Sequence, residues 1–246
     1  MNILVTICAR SGSKRVKNKN TRLLAGKPLI NYTIDLSKKW GKGTRVICST
    51  DSKEIAEIAK KRGIDVPFIR PKELAEDTAG KVEVIRHAFK ECEKIYKEKY
   101  DLVVDLDVSS PIKNAKDLDE CFKIFKQKNP DIVFSVTNAR RNPYFNMVEL
   151  KDDGFVKLSK KPNKPVLRGQ DAPKVFDMNA SIYFYNRTFL ENKKYVHPLS
   201  APKAAIYIMP EIAAFDIDEK IDFTWIEYLI KNKVVELWLI IWINSP

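Results

Sequence analysis

The chain has 246 residues, 44% of them hydrophobic, enough for one α/β core with a small appended lobe and too few for two large domains. Its formal net charge is +12, and ten of those charges fall within residues 1–45, where eleven Lys or Arg accompany a single acid, Asp35. Clustered cations suit nucleic acid or a small polyanion, but no recognition-helix, zinc-finger or aromatic ribonucleoprotein pattern accompanies them, which favours a compact, highly anionic ligand.

The apolar run 2–8 predicts a first strand that feeds straight into Ala9-Arg10-Ser11-Gly12-Ser13-Lys14-Arg15. Small residues after a strand let the backbone N–H groups of Ser11, Gly12 and Ser13 converge on an anion, and Arg10 and Lys14 add charge from two sides. The expected ligand is a polyphosphate. Pro28 then opens a helix reaching about residue 39, and 45–49 reads as the second strand. Asp51 and Glu54 form a capping-box-like pair for a helix over 52–62, which Gly63 stops. A short strand at 66–69 precedes Arg70-Pro71. The helix expected over 78–96 carries Val82, Ile85, Phe89, Cys92 and Tyr96 on a core stripe, with His87 on the opposite, exposed side. Next come a strand at 102–106, the turn Asp107-Val108-Ser109-Ser110-Pro111, a helix at 118–126 and a strand at 132–136. Between 138 and 175 six Pro or Gly residues break the pattern, which marks an inserted lobe. Sheet-like texture returns at 180–185 and 205–208, followed by Phe215-Asp216-Ile217-Asp218 and a helix at 223–231. Residues 237–243 are seven apolar residues in a row, against the roughly 20 that span a bilayer, and no function is assigned to them or to the tail 238–246.

This alternation predicts an α/β fold: a mixed, mostly parallel sheet with helices on both faces and a ligand crevice at the carboxyl ends of its strands. The loop 10–20, the Asp51 turn and the turn 107–111 gather there. Cys8 and Cys48 fall in strands and Cys92 and Cys121 in helices, with no Cys-x-x-Cys spacing, so they read as reduced core thiols. No charged and apolar leader precedes the first strand, and a cytoplasmic location is expected. The glycine spacing matches neither a Walker A loop nor a dinucleotide fingerprint, which puts P-loop and nicotinamide-dependent classes well down the list. Asp216 and Asp218, two apart in an extended segment, share a face and suit a hard cation; the same spacing also arises from polar alternation along an amphipathic strand.

Several blocks occur in a fixed order. They are Ala9-Arg10-Ser11-Gly12-Ser13-Lys14 with Lys19-Asn20, Leu24-Ala25-Gly26-Lys27-Pro28-Leu29-Ile30, Ser49-Thr50-Asp51-Ser52, Arg70-Pro71 with Asp77-Thr78-Ala79, Ser109-Ser110-Pro111, Asn179-Ala180-Ser181-Ile182-Tyr183 and Asp216-Ile217-Asp218. Together they resemble the acylneuraminate (CMP-sialic acid) cytidylyltransferases over almost everything to about Leu237. The resemblance implies a single nucleotidyltransferase domain over 1–237, related to GT-A glycosyltransferases, and a homodimer whose inserted lobe reaches the partner's site. It implies Mg²⁺-dependent transfer of CMP from CTP to the 2-hydroxyl of a nonulosonic acid, with release of pyrophosphate. By matching position, Arg10 and Lys14 meet the triphosphate on the loop of Ser11, Gly12 and Ser13. Asn20 and Arg70 hold cytidine, Ala79 offers a backbone contact to the base, and Asp216 and Asp218 bind Mg²⁺. No histidine is needed as a base.

On the sugar side the chain departs from typical sialic acid synthetases. Asp107 stands where a glutamine is usual, Asp177 where an arginine is usual, and Lys81 where a serine usually contacts the cytosine end. Residues 107–111, 139–146, 170–173 and 177–181 look more like the branch that activates legionaminic acids, although Gly169 holds a position where that branch has an arginine and Arg168 lies one residue earlier. Arg140, Arg141, Gln170 and Asn179 are the acceptor-side candidates, since a sugar carboxylate and amides call for forked donors and amide groups. Pseudaminic or Kdo-type acceptors, another nucleoside triphosphate donor, and a non-catalytic nucleotide- or polyanion-binding protein of the same fold are the alternatives.

Overall fold

A computed structural model describes residues 1–235. The core is a six-stranded sheet built from β1 (Ile3–Cys8), β4 (Arg45–Ser49), β5 (Leu102–Leu106), β6 (Ile132–Asn138), β9 (Phe176–Asn186) and β10 (Ala204–Ile208). Its order is β10-β6-β9-β5-β1-β4, with β9 antiparallel to both neighbours and every other pairing parallel. A two-residue hairpin, β2 (Leu23–Leu24) with β3 (Lys27–Pro28), and a separate ribbon of β7 (Val148–Leu150) and β8 (Val156–Leu158) complete the strands.

Side-chain alternation along the strands makes two apolar faces. Leu4, Val103, Phe134, Tyr183 and Tyr185 point to one side, where α3 (Lys81–Tyr96) lays down Val82, Ile85, Phe89 and Cys92 and α5 (Arg187–Glu191) adds Phe189 and Leu190. Ile3, Val5, Val104, Val133 and Phe184 point to the other, against Leu36 and Trp40 of α1 (Leu29–Trp40) and Leu118, Cys121 and Phe125 of α4 (Ala115–Lys128). A third cluster joins α1, α2 (Lys53–Lys61) and α6 (Lys220–Lys231) around Val16 and Ile217, and so packs the loop after β1 onto the chain's closing helix. All four cysteines are free thiols.

Several boundaries move for local reasons. The strand expected at 66–69 reduces to isolated bridges, Ile47 with Asp65 and Thr50 with Ile69. The helix expected from residue 78 begins at Lys81, because residues 76–79 close a turn and Gly80 stays extended. Asn114 and Asp117 form a reciprocal capping box that starts α4 at Ala115. β9 outruns its expected span at both ends, and the β6–β9 register slips between Phe134 and Val136 where Ala180 takes φ 51°. Within residues 138–175 the β7–β8 ribbon is exposed on every residue, and Leu150, Phe155 and Leu167 are 76%, 70% and 85% exposed. The apolar run 237–243 and the tail 238–246 lie outside the described residues.

Candidate active site

The carboxyl ends of β4, β1 and β5 meet where the strand order turns back on itself, and a cavity of about 590 Å³ opens there. Among the candidate residues, Arg10, Ser13, Lys14, Asn20, Arg70, Ala79, Asp107 and Asp218 line it.

The loop after β1 is tied down from both sides. Ser11 donates its backbone N–H (2.9 Å) and its hydroxyl (2.5 Å) to the Asp51 carboxylate, and the Asn20 amide donates to the Arg10 carbonyl at 2.8 Å. Ser13 donates its N–H to the Ser11 carbonyl at 2.9 Å. The expectation of three N–H groups converging on an anion is corrected accordingly: Ser11 gives its N–H to Asp51, Ser13 gives its own to the Ser11 carbonyl, and neither Ser11 nor Gly12 lines the cavity. The loop's positive charge comes from side chains. Arg10 Nη2 lies 2.5 Å from Asp77, and Lys14 pairs with the same carboxylate. Arg15 reaches Asp218 at 3.1 Å, and the nearly buried Lys19 donates to the Ile217 carbonyl at 2.7 Å with Asp218 at 3.8 Å. Arg70 is 5% exposed; its Nε donates to the Ser49 hydroxyl at 3.1 Å and its Nη2 to the Ser49 carbonyl.

The opposite wall comes from the β1–β5 register. Thr6 pairs with Asp105, so Cys8 and Asp107 continue on the same face beneath the N-terminal turn of α3. Lys81 Nζ bonds Asp107 at 2.8 Å and Asp105 at 3.2 Å, and lies 4.5 Å from the Tyr183 ring centroid. Thr6 donates to the other Asp105 oxygen at 2.9 Å. Burial by itself would raise the Asp107 pKa, but the Lys81 charge and hydrogen bond, with Lys113 behind them, hold it down to about 2. Lys113, 4% exposed, donates to the Asp107 and Ser110 carbonyls, and burial drives its ammonium down to about 8 against the pull of Asp107.

Asp216 and Asp218 flank Ile217, whose N–H bonds the Ser109 carbonyl at 2.8 Å and fixes this segment beside the 107–111 turn. Burial, reinforced by the charges of Asp218 and Asp107, pushes the Asp216 carboxyl above its usual range. Crowded oxygen donors of this kind fit a hard divalent cation. Among the described residues no three His, Cys, Asp or Glu converge as a metal cage, so such an ion would complete its shell with water and substrate oxygens.

The remaining candidates lie elsewhere. Arg140, Arg141 and Gln170 are exposed on the lobe and do not line the cavity. Asn179 is corrected from acceptor-site residue to bracket: it sits in the β9 irregularity, 7% exposed, accepting from Ser135 at 2.7 Å and donating to the Ala213 carbonyl at 3.2 Å. Arg168 forms an ion pair with Asp171 at 2.8 Å. His87 is corrected from exposed to half-buried; it meets the Phe68 ring edge-on and does not line the cavity. Asp105 and Lys113 carried no sequence signal for this site, whereas the Asp51 turn was expected at the crevice and Asp77 stood within the block Asp77-Thr78-Ala79 with no role of its own.

The pattern of the cytidylyltransferase family matches residues 4–237, nearly the whole described chain. The chain belongs to the cytidylyltransferase family. As a cytidylyltransferase it is an enzyme that transfers a nucleotidyl group, and two relatives align over 94% of its length. One is the post-translational flagellin modification protein B of Campylobacter coli, 43% identical over 231 residues and covered to 96%. Another is the CMP-N,N'-diacetyllegionaminic acid synthase of Campylobacter jejuni, 39% identical and also covered to 96%. A solved CMP:2-keto-3-deoxy-manno-octonic acid synthetase complexed with CTP superposes with a TM-score of 0.67 over 95% of this cytidylyltransferase and 100% of that chain. At 13% identity that likeness concerns the fold.

Proposed function

We propose that the cavity binds CTP and a nonulosonic acid of the legionaminic type, and that the enzyme transfers CMP to the acid's 2-hydroxyl with release of pyrophosphate. The observation that carries this reading is the cation set on the loop after β1, Arg10, Lys14, Arg15 and Lys19, which lines one cavity together with Asp218, the carboxylate that Arg15 and Lys19 reach. The 39% identity to the CMP-N,N'-diacetyllegionaminic acid synthase of Campylobacter jejuni supports the choice of acceptor class.

In this reading Arg10 and Lys14 hold the β- and γ-phosphates, and Asn20, Arg70 and the Ala79 backbone hold cytidine. The acceptor's 2-oxygen attacks the α-phosphorus in line with the departing α,β-bridging oxygen; the 2-hydroxyl proton passes to solvent, the bond from the α-phosphorus to the bridging oxygen breaks, and pyrophosphate leaves with the electron pair. Negative charge spreads over the transferring group and the leaving group, so fixed cations aimed at those oxygens supply most of the rate enhancement. Asp216 and Asp218 would hold Mg²⁺, which when bound polarises phosphate oxygens and lowers the hydroxyl's pKa. The Lys81–Asp107 pair, where relatives of the sialic type carry other residues, borders the acceptor side. A homodimer joined through the exposed apolar lobe would bring Arg140, Arg141 or Gln170 toward the partner's cavity.

The test is incubation with Mg²⁺, each of the four nucleoside triphosphates and a panel of nonulosonic acids, followed by pyrophosphate release and product mass. CTP with a legionaminic acid is expected to give the CMP-sugar at the highest kcat/KM. A folded enzyme that makes no CMP-sugar from any of these acids would count against the proposal, and preference for a pseudaminic acid would move the acceptor.

A further inference from the structure

Asp77 has no part in the reaction as described, yet it occupies the place where the most highly charged ligand must go. Its Oδ1 meets Arg10 at 2.5 Å and its Oδ2 pairs with Lys14, so one carboxylate bridges the two cations assigned to the triphosphate. The contact joins separate parts of the chain, the loop after β1 and the segment 75–80 ahead of α3. Arg10 strengthens it by donating its Nη1 to the Ala75 carbonyl at 3.2 Å. All three charged groups line the cavity.

The tie is strong in geometry and weak in setting. Lys14 is 83% exposed and Asp77 38%, and ion pairs in such surroundings are screened by water and salt and hold weakly. A triphosphate offers more charge and more oxygens to the same donors and so outcompetes one carboxylate. Once phosphates sit on Arg10 and Lys14, the Asp77 charge is repelled and has to withdraw. Ala79, two residues further on, moves with it.

We propose that Asp77 is an internal counter-anion that holds Arg10 and Lys14 until a polyphosphate displaces it, so that filling the triphosphate subsite shifts residues 75–80. The inference rests on the reading of Arg10 and Lys14 as triphosphate ligands. It makes Asp77 a specificity-determining residue, because a ligand with a single phosphate competes for only one of the two cations.

Calorimetric titration with inorganic tripolyphosphate tests it in three variants. Asp77→Asn is expected to bind about three- to tenfold tighter than the wild type, Asp77→Glu to bind as the wild type does, and Lys14→Ala to bind more weakly. If Lys14→Ala weakens binding while Asp77→Asn leaves it unchanged or weaker, the counter-anion role is overturned and the triphosphate reading stands. Tighter binding by Asp77→Glu also overturns it, since the anion is kept. If Lys14→Ala changes nothing, the triphosphate reading fails and takes this inference with it. Hydrogen exchange of the wild-type enzyme gives a test free of any variant's folding: tripolyphosphate is expected to speed amide exchange within 75–80, and unchanged or slower exchange overturns the proposal.

Discussion

Lys14 and Asp107 show how neighbours set the behaviour of a charge at this site. Lys14 lies on an exposed loop and, among the described residues, pairs with Asp77, so its charge remains available to phosphate. Lys14→Ala is expected to cost about 3 kcal/mol of transition-state stabilisation, on the order of a hundredfold in kcat/KM for CTP. A near-wild-type rate would remove Lys14 from the mechanism. Asp107 is held ionised by Lys81 and Lys113, with its pKa brought from 3.8 to about 2. A carboxyl with a depressed folded-state pKa stabilises the fold above its unfolded value and loses that contribution as pH falls through the folded value. About 2 kcal/mol of stability is therefore expected to disappear between about pH 4 and pH 2. Asp107→Asn should flatten the acid limb of a denaturation series in that window, and an unchanged limb would assign the loss to other carboxylates.

At the scale of elements, the junction before α6 links helix capping to the candidate metal segment. Asp222 accepts the backbone N–H of Asp218 at 2.9 Å and that of Glu219 at 2.6 Å, so the side chain that starts the helix also orients the residue facing the cavity. Losing such a cap costs about 1 kcal/mol, or roughly 2–4 °C in Tm for a domain of this size. Asp222→Ala is expected to lower Tm by that amount and also to raise the Mg²⁺ concentration needed for half-maximal activity. A fall in Tm with unchanged Mg²⁺ dependence would separate the cap from the site. α3 is positioned with similar economy: Gly80 stays extended, the helix begins one residue later, and Lys81 comes down over Asp105 and Asp107.

For the whole molecule, the homodimer proposal rests on the distribution of exposed apolar surface. The β7–β8 ribbon leaves Val148, Leu150, Phe155 and Val156 at least 60% exposed on one lobe, a larger grouping than scattered surface apolar residues make. Sedimentation is expected to show a dimer, and Leu150→Lys with Phe155→Lys to give a folded monomer; a wild-type monomer would end the homodimer proposal. Much of this architecture was legible in the residues alone. Strand periodicity placed the sheet, helical stripes placed Val82 to Cys92 on its face, and the run Arg10 to Lys14 marked a basic end that lines the cavity, because each signal is local in the chain. Other features depended on register and strand order. Ser11 meets Asp51 forty residues away, Lys81 reaches Asp107 across a helix and a strand, and Arg15 finds Asp218 at the far end of the sequence. Asn179, polar and followed by small residues, reads as a binding group in the sequence, yet the β9 irregularity turns its amide inward to Ser135 and Ala213. The sequence by itself determined the alternating core and the basic loop, since short-range periodicity and composition encode them. Only the tertiary structure decided which acids hold those cations, because carboxylates far apart in the chain meet them through the pairing of β1 with β4 and β5, the placing of segment 75–80 ahead of α3 and the docking of α6.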